Sequence, residues 1–377
     1  MCATLSAALL IVLERLVGER LGAMVETLLG VLFVGGMSLL AQWSRKNPAA
    51  EISLLVILLS IPCLAITLVL LLVVLGVVPA PNAPVLSTVS AIIIVLASLA
   101  GISLCVPPLR KILRRSQIHA QHTENTDYEE RGHPKGQTFE DHLSGGWWSD
   151  PPTFFALWVF VAVLAVHVIS LFAFALDPES VSSGLSSIGR LSPFAVLVSQ
   201  LPLVIVALCG VGFGVRRNFR ETLSRLGYGP ITLRQLGIVA LFVAGALLLS
   251  FAADWLFATL QPDLFERVGE VSEGLLSPRG LSPAAAVLFG LLIGLGAGIG
   301  EETLFRGAVQ PRLGIVLTSV LWAAVHVQYG PSVILIYIFV FSLALGFLRA
   351  RINTTATFIT HATYNFLTVL LAYFLGA

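Results

Sequence analysis

Uninterrupted apolar runs recur along the whole chain, and they leave few folds open. The stretch from Ile52 to Pro79 contains no charged side chain. A helix needs about 20 apolar residues to cross a bilayer. Backbone in lipid must satisfy its own hydrogen bonds, which a helix does within its own segment. Spans are read at 22–42, 52–79, 85–106, 153–176, 193–215, 235–258, 283–305, 313–328, 332–348 and 353–375, about ten in all. Residues 3–13 are too few, and Glu14, Arg15, Glu19 and Arg20 follow them, so 1–21 reads as an interfacial helix. The expected fold is all-α, a polytopic transmembrane helical bundle.

Composition agrees. Charged residues make up 11% of the 377 and hydrophobic residues 56%, with mean hydropathy +0.92. A soluble domain carries about 25% charged residues. This composition makes the lipid bilayer the partner, and the net charge of +1 implies no acidic or nucleic-acid partner. Cys63, Cys105 and Cys209 lie in apolar runs and read as small packing residues rather than as a disulfide or metal set.

Basic residues cluster in alternate loops: Arg45 and Lys46; Arg110, Lys111, Arg114 and Arg115; Arg216 to Arg234; Arg306 and Arg312; Arg349 and Arg351. Such loops face the cytoplasm, which places both termini outside. The long insertion at 107–152 holds His119, His122, His133 and His142 among acidic residues. Their spacing matches no compact ligand pattern, so the segment reads as a disordered cytoplasmic loop. It divides an accessory membrane module, 1–106, from middle spans at 153–282 and a core at 283–377. No internal repeat is visible, which weighs against a transporter built from duplicated halves. A short helix is expected to end at Gly227, before Tyr228-Gly-Pro230.

The polar chemistry is concentrated in the last quarter. Glu301, Glu302 and Arg306 close a glycine-rich segment, and His326, His361 and Asn365 lie in later apolar segments. Ionisable groups at membrane depth are costly, so they are functional candidates. Gly290, Gly294, Gly296, Gly298 and Gly300 include pairs four apart, which let neighbouring helices approach closely and predict a glycine-packed core. Glu302 and Arg306 are one helical turn apart and face each other, while Glu301 points about 100° away. Arg306 can neutralise Glu302 and leave Glu301 toward the interior as a general base. The plainer alternative is an ion-paired cap at the membrane boundary. His361 and Asn365 share a face. Glu301 and His361 lie roughly 6–12 Å below the cytoplasmic edge, and His326 deeper unless 311–315 is non-helical.

Two hydrolytic chemistries fit this set. Glu301 or Glu302 with His326 and His361 could form a zinc site of the His₂Glu kind. Without metal, Glu301 activates water, a histidine assists, and Asn365 with a histidine stabilises the oxyanion. No His-Glu-x-x-His or Gly-x-Ser-x-Gly occurs. Gly227-Tyr-Gly-Pro230 has no aspartate partner, which argues against an aspartyl protease.

In these residues the chain resembles the CPBP family of intramembrane proteases, which groups CAAX prenyl endopeptidases with bacteriocin-processing and self-immunity proteins. The resemblance rests on Glu301-Glu302-Thr-Leu-Phe-Arg306, Trp322-Ala-Ala-Val-His326 and His361-Ala-Thr-Tyr-Asn365, over about 283–375. Trp322 stands where the family more often has phenylalanine. The resemblance implies an endopeptidase, metallo- or glutamate-dependent, acting on a membrane-embedded or prenylated peptide. Its catalytic set would be Glu301, Glu302, Arg306, His326, His361 and Asn365, with Glu301, His326 and His361 as metal ligands if zinc is used. It also implies a bacterial plasma membrane protein whose site opens toward the cytoplasm. The alternatives are a non-catalytic immunity or partner-binding protein using the same pocket, and a proton-coupled transporter.

Overall fold

The computed structural model describes residues 19–80, 83–105, 150–186 and 192–375. The interfacial helix read at 1–21 falls outside them up to residue 18, and the histidine-bearing loop at 107–152 up to residue 149. The structure is all-helical, 85% helix, with no strand among the described residues. In chain order the helices are α1 (Glu19–Trp43), α2 (Pro48–Val74), α3 (Pro84–Cys105), α4 (Pro151–Leu176), α5 (Pro178–Ser186), α6 (Pro193–Ser199), α7 (Leu201–Gly210) and α8 (Phe219–Arg225). Then come α9 (Leu233–Leu260), α10 (Pro262–Leu276), α11 (Pro283–Glu301), a π-helical segment (Glu302–Val309), α12 (Gln310–Ala324), α13 (Val333–Arg351) and α14 (Thr354–Leu375).

Among the described residues, seven helices are long and apolar enough to cross a membrane. The chain is an integral membrane protein by this measure. The sequence reading has about ten spans, and the difference lies in three places. The apolar part of α1 is short, Thr27–Trp43. The run at 193–215 is interrupted after Ser199, where Gln200 separates α6 from α7 and Pro202 opens the new helix. The runs at 283–305 and 313–328 continue into one another as Pro283–Ala324.

The helix ends follow local chemistry. Ser282 caps α11, with Pro283 behind it, and accepts the Ala285 amide. Thr232 and Gln235 form a capping box on α9, and Asn218 and Glu221 another on α8. The short helix expected before Gly227 is α8. Gly227 has φ of 81° just past its end, the left-handed conformation that glycine adopts without strain.

The described residues form two compact units. One comprises residues 37–80, 83–105 and 150–165; in it α2 packs on α3, and Gly101 gives room to the Trp158 indole, 3.1 Å from where a Cβ would stand. Arg45 and Asp150 form an ion pair in this unit. The other comprises 19–36, 166–186 and 192–375. In it α11 packs along α14, α12 along α13, and α9 against both α13 and α14.

The glycines of α11 explain how close these helices come. Gly290, Gly294 and Gly298, spaced by four, face α14: a Cβ on Gly294 would collide with the Ala362 carbonyl oxygen, and one on Gly298 would stand 2.9 Å from the Phe358 ring. Gly296 and Gly300 face another way, toward Leu197 and Gln200. The expected glycine-packed core is therefore present, with two glycine faces rather than one.

Candidate active site

The end of α11 and the π-helical segment carry the glutamates. A π segment shifts the side chains after it around the axis relative to an α-helix, and such segments recur at functional sites. Here Glu302, Thr303, Phe305, Arg306, Gly307 and Ala308 are all buried, while Glu301 is only partly so. The two adjacent carboxylates thus have different surroundings, as the 100° step between them requires.

Glu302 is fully buried and its partners are internal. Its Oε1 lies 2.9 Å from His361 Nδ1, and its Oε2 lies 3.4 Å from Arg306 Nε. The Thr357 hydroxyl faces it as well. Arg306, also fully buried, donates from Nη2 to Ser342 Oγ at 3.2 Å. Its guanidinium carbon sits 5.0 Å from the centre of the Trp322 ring, a cation–π contact. Arg349 Nε donates to the Arg306 carbonyl at 3.0 Å. The pairing of Glu302 with Arg306 expected from the sequence is present, and His361 joins it.

Glu301 has one strong partner. Trp322 Nε1 donates to its Oε2 at 2.6 Å. The ring of Trp322 also stands edge-on to His326 and to His361, with centroids 4.7 and 5.6 Å away. One indole thereby touches Glu301, Arg306 and both histidines. Phenylalanine in its place would keep the ring contacts and lose the bond to Glu301.

His326 lies just beyond α12, in non-helical backbone, rather than inside a span. The chain leaves helical geometry earlier, at Gly314, with φ of 76°. This is the interruption that Pro311 and Gly314 permit, and it contributes to bringing His326 level with the glutamates. His326 Nδ1 lies 2.6 Å from the Trp322 carbonyl oxygen.

These bonds set both tautomers. A carbonyl oxygen and an ionised carboxylate can only accept, so Nδ1 carries the proton in His326 and in His361. Among the described residues no hydrogen bond engages Nε2 of either ring. Asn365, one turn beyond His361 on the same face, is partly buried, and its side chain makes no hydrogen bond among the described residues.

The donor atoms suit a metal chemically, but their placement does not. Among the described residues, no group of three His, Cys, Asp or Glu side chains is positioned to hold a metal ion. Glu301 faces the Trp322 indole, and Glu302 is spent on Arg306 and His361.

Residues 283–367 match the family model described as type II CAAX prenyl endopeptidase Rce1-like. This segment is similar to the Rce1-like domain, a match consistent with the CPBP family. The match includes every residue named above for the site from Glu301 to Asn365. No curated protein and no solved structure matches the chain. The similarity to the CAAX endopeptidase model concerns this segment, and the segment's geometry adds partners that motif reading leaves out. Trp322 is visible in sequence only as the aromatic residue one turn before His326. Thr357 and Ser342 carry a weaker signal, hydroxyl residues within apolar helices. Thr354, Thr357 and Thr360 are all fully buried, forming a polar edge on α14 that leads to His361.

Proposed function

We propose that the Rce1-like domain is an intramembrane endopeptidase that cleaves a membrane-associated or lipidated peptide with water activated by Glu301. The observation that carries this reading is the convergence of Glu301, Trp322, His326 and the buried Glu302–Arg306–His361 set within apolar helices. A charge network at this depth is costly to bury, and a purely structural role would be served by apolar packing at lower cost.

In this mechanism Glu301, partly exposed and oriented by Trp322, takes a proton from water as the oxygen adds to the scissile carbonyl carbon. Asn365 donates its amide hydrogens to the resulting oxyanion. His326, whose Nδ1 faces the Trp322 carbonyl, accepts the water's other O–H through Nε2 and positions it, while Glu302 holds His361 through Nδ1. The intermediate collapses with cleavage of the C–N bond, and the leaving amine takes the proton held by Glu301. The products are a carboxylic acid and an amine, and passage of the acid's proton to the amine leaves a carboxylate and an ammonium. Glu302 and Arg306 touch neither water nor substrate; they hold His361 and the end of α11 in place. No step is routed through zinc, because the three candidate ligands do not form a metal-holding group here.

The test uses purified protein in nanodiscs and a peptide library that includes prenylated C-terminal peptides. Glu301→Gln is expected to lower turnover by about 10³-fold, since the variant keeps the shape and loses the base. Wild-type cleavage is expected to survive a zinc chelator. Equal cleavage by both proteins would remove Glu301 as the base. Chelator-sensitive cleavage would replace the metal-free route with zinc at Glu301, His326 and His361. If Glu301→Gln preserves a cellular phenotype of the wild type, the partner-binding reading gains instead.

A further inference from the structure

Leu226-Gly-Tyr-Gly-Pro230 stands out in the sequence, and the proteolytic reading leaves it without a role. In the structure this short loop between α8 and α9 is bonded to both helices that hold the buried pair, Glu302 and His361. On one side it meets α14. Thr354 Oγ1 donates to the Leu226 carbonyl at 2.6 Å, and the Thr354 amide donates to the Gly227 carbonyl at 2.9 Å. The Gly229 amide donates to Thr355 Oγ1 at 3.0 Å, while that hydroxyl donates to the Gly229 carbonyl at 2.8 Å. Asn353 Nδ2 reaches the Pro230 carbonyl at 3.0 Å.

On the other side the loop meets the π-helical segment. Leu226 is fully buried, and its side chain would stand 2.9 Å from a Cβ on Gly307. The Thr303 hydroxyl donates to the Ile299 carbonyl, the oxygen an uninterrupted α-helix would pair with the Thr303 amide. Thr303 has only one hydroxyl proton, so the Tyr228 hydroxyl donates to Thr303 Oγ1, at 2.5 Å. Burial pushes the Tyr228 hydroxyl pKa up, so it keeps that proton through the neutral range.

Gly227 is required here on two counts. Its φ is 81°, and a Cβ would stand 2.8 Å from Thr354 Oγ1 and 3.3 Å from the Arg349 guanidinium. Arg349 in turn bonds the Arg306 carbonyl. Thr303 directly follows Glu302, and Thr354 lies two turns before His361 on α14.

We propose that residues 226–230 are a clamp that sets the spacing of Glu302 and His361, with Tyr228 as its positioning residue. The clamp joins the start of α14 to the turn of the π segment that carries Glu302. Its kinetic consequence rests on the proteolytic reading; its structural consequence does not.

The experiment compares wild type, Glu301→Gln, Tyr228→Phe, Thr303→Val, Thr303→Ser and the Tyr228→Phe/Thr303→Val double variant in nanodiscs. Hydrogen exchange is followed by mass spectrometry, and cleavage is followed on the peptide the wild type turns over. Tyr228→Phe is expected to speed amide exchange across 299–309 several-fold without lowering the melting temperature. It is expected to lower kcat about tenfold at unchanged KM, the scale of one positioning hydrogen bond. Thr303→Ser is expected to behave as wild type, and the double variant no worse than either single change. Wild-type exchange across 299–309 in Tyr228→Phe overturns the clamp, as do additive losses in the double variant or a kcat loss that tracks a lower melting temperature. If the wild type cleaves no peptide, the proteolytic reading fails, and if Glu301→Gln cleaves like wild type, Glu301 is removed as the base; in either case the exchange data still decide the clamp.

Discussion

Helices α9 and α11 are both long, apolar and glycine-bearing, yet they use glycine differently. On α9, Gly237 and Gly245 have no atom within 4 Å of the place a Cβ would occupy. On α11, Gly290, Gly294 and Gly298 lie against α14, and Gly296 and Gly300 against Leu197 and Gln200. The ionisable groups differ in the same way. Asp254 of α9 is exposed, whereas Glu302, just past α11, is fully buried with Arg306. The most apolar 18-residue stretch has mean hydropathy 2.5 in α9 and 1.9 in Pro283–Ala324, and the buried share of that stretch rises from 22% to 50%. A membrane helix that packs on protein can carry polar groups, because partners rather than lipid surround them. Removing the side chain from α11 is what brings the backbone of α14, and with it His361, close enough to reach Glu302.

The contrast can be broken by three changes. Arg306→Ala is expected to have the largest effect, a loss of about 3–5 kcal/mol, because it leaves Glu302 buried with its charge uncompensated. Reversible denaturation in mixed micelles measures it. A loss below 1 kcal/mol would mean Glu302 is already neutral or well partnered by His361 and Thr357. Gly294→Ala comes next. The Ala362 backbone oxygen cannot swing aside, so α14 must move, at about 2–3 kcal/mol by the same measurement. Retained stability would show that α11 and α14 are not as close as described. Gly245→Ala should have the smallest effect and the opposite sign, a gain of about 0.5–1 kcal/mol from helix propensity alone. A clear loss there would mean that α9 packs on something at that face.

Much of the site was legible in the chain. The Glu302–Arg306 pair follows from the spacing of one helical turn, and the separate surroundings of Glu301 follow from the step between adjacent residues. The break needed to bring His326 level could be anticipated from Pro311 and Gly314. The bond from Trp322 to Glu301 could not, because it joins residues on different helices whose rotation is set by the π segment. Nor could the link from Tyr228 to Thr303, which lies across a large separation in sequence. The count of long apolar helices among the described residues differs from the about ten spans read in the sequence where apolar runs are interrupted by Gln200 or continue through the π segment. Hydropathy reports the solvent of a segment and not where its backbone bends.

By itself the sequence determined that this chain is an all-helical membrane protein and that its polar chemistry lies between Glu301 and Asn365. Lipid enforces both: it admits backbone only as closed hydrogen-bonded structure, and it tolerates charge only where something pairs with it. The tertiary structure decided which glycines are contacts, which glutamate is buried, and which nitrogen of each histidine is free. Those outcomes depend on distances between helices, and packing sets them to within an ångström where spacing along the chain cannot.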